Sequence, residues 1–111
     1  MDRTDEFRLI VRRVFQEVAA MMPSEAELQT ELICDDMIGH YQLGQVGWEK
    51  QERVDDIYLH VDVQDSKVWI QNDGTNLRLA SWLIREGIPR ENIVLAFHRP
   101  ELRIYTDYAV A

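Results

Sequence analysis

The chain has 111 residues, with 12 Lys and Arg against 20 Asp and Glu and a formal net charge of −8. That length supports one domain spanning 1–111; its 46% apolar content excludes a disordered chain, and no apolar run approaches the ~20 residues that cross a bilayer. The polar opening Met1-Asp2-Arg3-Thr4-Asp5-Glu6 does not read as a secretory leader, and Cys34 alone forms neither an internal disulfide nor a Cys-rich zinc site, so a reducing cytoplasm is expected, with no membrane partner.

Residues 3–22 predict an amphipathic helix. Phe7, Ile10, Val11, Val14, Phe15, Val18, Met21 and Met22 recur at three-and-four spacing, Thr4 with Asp5 and Glu6 supplies an acidic first turn, and Pro23-Ser24 ends it. Residues 24–29 read as a linker. Residues 30–36 predict a strand with Thr30, Leu32 and Cys34 on one side. Cys34 reads as a small core residue, because Glu31, Asp35 and Asp36 would raise rather than lower a thiol pKa.

Residues 39–48 predict a second strand whose frame slips near Gly44-Gln45. Tyr41 and Leu43 share one parity and Val46 and Trp48 the other, so a β-bulge is expected there. Residues 53–63 alternate most clearly. Ile57, Leu59, Val61 and Val63 point one way, and Asp56, Tyr58, His60 and Asp62 the other. Gln64-Asp65-Ser66-Lys67 reads as a turn and Val68–Asn72 as the return strand, which completes an antiparallel meander of about four strands.

Asn72-Asp73-Gly74 marks the next turn. Thr75 or Asp73 caps a helix expected over 76–86, with Leu79, Ala80, Leu83 and Ile84 inward, Gly87 ending it and Pro89 preventing continuation. Ile93–Phe97 predicts a short buried strand. The end Tyr108-Ala109-Val110-Ala111 is too apolar for a solvated terminus and should be tied down on the domain or on a second chain. The class is therefore α+β: helix, meander, helix, short strand and apolar tail.

Charge is unevenly distributed. Residues 24–73 carry twelve acids against three bases, a balance of −9, whereas 74–111 stand at +1. The bases are ten Arg and two Lys. Such a domain repels nucleic acid unless its arginines gather on one face, and Arg78, Arg85, Arg90, Arg99 and Arg103 are the set that a DNA-binding dimer would need.

Catalytic motifs are sparse. Asp65-Ser66-Lys67 with Asp56 has some likeness to the carboxylate and lysine arrangement of metal-dependent nucleases, yet it also reads as an ordinary polar turn. His60 and Asp62 share a strand face. Joined by Asp56 or His98 they would hold a metal, and with Asp65 they would form a metal-dependent hydrolase; cross-strand polar pairing explains them equally well. The expected assignment is no catalytic residue, no metal and no cofactor. His98, Arg99 and Arg103 around Pro100 suit an anion or a partner carboxylate, or else a loop answering the acidic strands. Trp69 and Trp82 fit the inward parity poorly, which offers them to a homodimer interface or to a second small cluster beneath the tail.

Four segments carry a resemblance: Val46-Gly47-Trp48-Glu49, Val68-Trp69-Ile70-Gln71-Asn72-Asp73-Gly74-Thr75, Glu86 to His98, and Arg103 to Ala111. Together they resemble the XisI-like fdxN-element excision controlling factors of cyanobacteria, over essentially the whole chain. The resemblance implies a compact α+β domain that controls programmed excision of a DNA element during heterocyst differentiation. It implies action with a site-specific recombinase and with a companion, XisH, that looks like an endonuclease-type protein. It carries over no catalytic residue. Within that frame, the acidic residues Glu31, Asp35, Asp36, Asp56 and Asp62 are the expected contacts for a basic surface on an XisH-like partner.

Overall fold

The computed structural model describes residues 2–22 and 26–111; the expected stop at Pro23-Ser24 lies outside them. The apolar stripe of the first segment forms α1 (Thr4–Met21), which buries Phe7, Ile10, Val11, Val14, Phe15 and Val18. Of the two methionines expected in that stripe, Met21 is exposed at the last residue of α1, and Met22 packs against the core. No side chain caps α1 directly. Instead Asp2 accepts a hydrogen bond from the Thr4 amide at 2.8 Å, and Ser66 donates to the same carboxylate.

The strands are β1 (Leu28–Asp35), β2 (His40–Glu49), β3 (Glu52–Gln64), β4 (Lys67–Asp73) and β5 (Ile93–Leu95), in sheet order 1-2-3-4-5. The first three pairings are antiparallel, as the meander requires, and β5 joins β4 in parallel after α2 (Leu79–Arg85). The β3–β4 link is a two-residue turn with Asp65 at φ 52° and Ser66 at φ 60°. That left-handed pair matches strand twist, and short polar residues tolerate it.

The expected bulge is present, but the extra residue sits on the other strand. Leu43 faces Leu59 and Gly44 faces Ile57, so Tyr58 is the additional residue, in β3. This corrects the parity of Ile57. Beyond the bulge the strand changes face, and Ile57 turns away from the core to 50% exposure while Leu59, Val61 and Val63 stay buried. A second bulge places Gln71 as the extra residue of β4.

The second helix is shorter than expected. Its N-cap, Arg78, is left-handed, and Asp73 reaches across to accept from the Leu79 amide at 3.0 Å. Its end follows expectation: Gly87 donates to the Ile84 carbonyl and Ile88 to the Leu83 carbonyl, the paired bonds of a Schellman motif. The tail is tied to its own domain. Ala109 donates to the Ile93 carbonyl at 2.8 Å and bridges Val94 in parallel, beyond the 3-10 segment Pro100–Tyr105.

Both helices contribute to one core against the inner sheet face, around Phe7, Phe15, Tyr41, Leu59, Ile70, Leu83 and Ile93. Tyr41 is fully buried in it and donates its hydroxyl to Asp36 at 2.8 Å. Burial first, and the Asp36 carboxylate second, push its phenol well above the usual value of 10.0. The neutral form is therefore the one the fold favours. Its stabilising contribution is complete below pH 10 and declines as pH rises above that value. Thermal melts from pH 8 to 12 should show an alkaline fall in Tm, and Tyr41→Phe should remove most of it; an identical fall in the variant would refute the assignment.

Candidate functional site

The inner face of the sheet is covered by α1, so the outer face of β1–β3 is what the domain presents. Antiparallel register brings Glu31 beside Gly44, Ile33 beside Gln42, and Val46 beside Asp55. These residues, with Asp56 and Ile57, line a shallow cleft of about 120 Å³ whose floor is Gly44. The cleft mixes branched apolar side chains with the carboxylates of Glu31 and Asp55; Asp56 is registered opposite Gln45 and borders the cleft with its backbone carbonyl beside Gly44. Trp48, on the same face of β2, is 48% exposed and carries the Arg53 guanidinium 5.4 Å from its ring centre.

Further along the same face lies a second cluster. The pairing of β2 with β3 sets His40 opposite Asp62 and Gln42 opposite His60. His40 Nδ1 is 2.8 Å from Asp62 Oδ1, and His60 Nε2 is 3.4 Å from Asp62 Oδ2. The imidazoles meet edge to face with centroids 4.8 Å apart. Gln42 Nε2 lies 2.9 Å from His40 Nε2, and Gln71 donates to Asp62 Oδ2 at 3.3 Å. His60 Nε2 is buried and makes no hydrogen bond. Among the described residues this is the one group of three His, Cys or acidic side chains whose ligand atoms gather within 4.8 Å.

The sequence pattern singled out His60 and Asp62 but not His40. The signal was present in the hairpin count, provided the bulge is included. Counting outward from the Glu49–Glu52 pair without a bulge sets His40 opposite inward-facing Val61; the extra Tyr58 moves Asp62 into that place. Asp56 and His98, weighed as further ligands, are not in the cluster. Asp65 sits on the β3–β4 turn, about 10 Å along the strand from Asp62.

The five acids expected at a partner surface separate into three groups. Glu31 and Asp56 border the cleft, Glu31 with its side chain and Asp56 with its backbone, because the bulge that turns Ile57 outward turns Asp56 to the Gln45 face. Asp62 belongs to the histidine cluster. Asp35 accepts the Met37 and Ile38 amides and so shapes the β1–β2 turn, while Asp36 pairs with Arg12 at 2.6 Å and accepts the Tyr41 hydroxyl. Cys34 is half-buried; burial first, then the nearby Asp36 charge, raises its thiol against the opposing pull of Arg12.

Most of the C-terminal arginines are engaged where they stand. Arg103 donates to the His98, Ala96 and Val110 carbonyls and lies 5.9 Å from the Trp69 ring centre. Arg85 covers Trp82 at 4.7 Å and Arg90 approaches Tyr108 at 5.7 Å. Arg99 pairs with Glu101 at 2.9 Å, with its side chain 81% exposed. Trp69 and Trp82 are both half-buried, and Trp82 packs against the core. Phe97, Leu102, Ile104 and Tyr105 of the C-terminal segment are more exposed.

A family model described as XisI protein matches residues 1–110. Among solved structures, a XisI-like protein from Anabaena variabilis ATCC 29413 is similar with a TM-score of 0.92 and 34% identity, over 97% of this chain and 99% of that one. The fdxN element excision controlling factor XisI from Anabaena variabilis ATCC 29413 gives a TM-score of 0.86 and 30% identity, over 99% of this chain and 100% of that one. No match is found among curated proteins.

Proposed function

Since the chain belongs to the XisI family over residues 1–110, we propose that it is a non-enzymatic accessory factor in programmed excision of a DNA element of the fdxN type, and that it acts by binding an XisH-like endonuclease-type partner. The observation that carries this reading is the sheet face opposite α1, where Glu31 and Asp55 flank the exposed Ile33 and Ile57. A surface of this kind suits a basic, partly apolar protein segment: the carboxylates steer the approach and the branched side chains supply the contact area. It suits DNA poorly, because phosphates would meet carboxylates. Four of the five arginines that a DNA-binding surface would need lie against aromatic rings, backbone carbonyls or an acid.

Co-expression with an XisH-like protein and sizing of the product tests the reading. A stable complex is expected, weakened about tenfold or more by Glu31→Lys with Asp55→Lys and weakened by added salt. Failure to associate, or association indifferent to both charge reversal and salt, refutes it. A mobility-shift assay with duplex DNA should show no binding by the chain alone.

A further inference from the structure

We propose that His40, His60 and Asp62 form a binding site for a late first-row divalent cation, Zn²⁺ above all, on the outer face of the sheet. The donor set is two imidazole nitrogens and one carboxylate. Imidazole suits Zn²⁺, Ni²⁺ and Cu²⁺, whereas Mg²⁺ and Ca²⁺ take oxygen ligands. The spacing suits one ion. Donors about 2.0–2.2 Å from a tetrahedral centre stand about 3.3 Å apart. Here the carboxylate lies 2.8 Å from one imidazole and 3.4 Å from the other. All three donor atoms fall within 4.8 Å, so the widest gap closes by about 1.5 Å, which small rotations of two rings provide.

A second observation points to a ligand independently of spacing. His60 Nε2 is buried without a hydrogen bond, and a buried polar atom left in that state is costly. A bound cation would satisfy it. The surroundings also supply outer support. Gln71 donates to Asp62 Oδ2, the oxygen that faces His60, and so holds the carboxylate in place. Gln42 lies 2.9 Å from His40 Nε2, and its amide turned end for end accepts from that nitrogen, which leaves His40 Nδ1 as the ligand. Three protein donors leave the fourth tetrahedral position open toward the solvent side, free for water or for a side chain of a docked protein. The site is built from this chain alone and does not depend on the partner reading.

The test is titration of the untagged chain with ZnCl₂, followed by calorimetry and by thermal melting, with MgCl₂ as the comparison. One Zn²⁺ per chain is expected, with a rise in Tm of about 10 °C at a hundredfold excess over Kd. His40→Gln, His60→Gln and Asp62→Asn should each weaken binding about 100-fold, while His98→Gln leaves it unchanged. These side chains are only part-buried on a sheet surface, so the variants should fold, and circular dichroism without metal checks that they do. No Zn²⁺ binding by the parent chain, equal response to Mg²⁺, or binding retained in His60→Gln overturns the proposal.

Discussion

Phe15→Ala is expected to lower the unfolding free energy by about 3–5 kcal/mol, a large share of the ~5–15 kcal/mol available to a domain of this size. Phe15 is fully buried at the middle of α1, and its ring packs at 58° against Tyr41 with centroids 6.1 Å apart. It joins the helix to β2 from above the sheet. Alanine leaves a cavity bounded by strand side chains that cannot collapse together, because their backbone is held by ladder hydrogen bonds. Urea denaturation read by tryptophan fluorescence measures the loss. Phe15→Leu, which keeps most of the volume, should cost much less. A penalty for alanine under about 1 kcal/mol would mean that α1 is not wedged at this point.

Gly47→Ala is the second large effect, at about 2–5 kcal/mol, because two penalties coincide. Gly47 has φ +146°, a region that side-chain-bearing residues rarely enter, and a Cβ there would lie 1.9 Å from the Glu27 carbonyl oxygen. The contact cannot simply open, since the same oxygen accepts the Trp48 amide at 2.8 Å. Gly87→Ala separates the two causes. Gly87 also has positive φ, at +111°, yet a Cβ there meets nothing within 4 Å. It should cost only the conformational part, about 1–2 kcal/mol. Equal losses in the two variants would show that the close backbone approach at Gly47 carries no weight. Since Gly47 pairs with Leu28 across β1 and β2, its replacement should also loosen the edge strand that supplies Glu31 to the outer face.

The two variants act at opposite ends of one functional requirement. The proposed partner surface and the proposed cation site both lie on the sheet face opposite α1. α1 packs against the other side. Charge variants on the outer face should therefore alter binding with little change in Tm, whereas Phe15→Ala should alter Tm first. Surface substitutions away from buried features commonly change stability by less than about 0.5 kcal/mol, which keeps the two readouts separable.

Elements whose cause is local can be read from residue order. The stripe from Phe7 to Val18 specifies a helix and its buried side, the alternation from Leu59 to Val63 specifies a strand face, and Ile84 to Pro89 specifies a helix end. The family resemblance was equally legible, since it rests on ordered residues along the chain. Tertiary structure alone decided which strand carries the bulge, and with it the exposure of Ile57 and the meeting of His40 with Asp62. It also decided that Arg103 donates to the His98 and Ala96 carbonyls. The physical reason is that strand register is a property of two segments at once. One inserted residue exchanges the two faces of everything beyond it, and which of two paired strands accepts the insertion depends on packing against a helix far away in sequence.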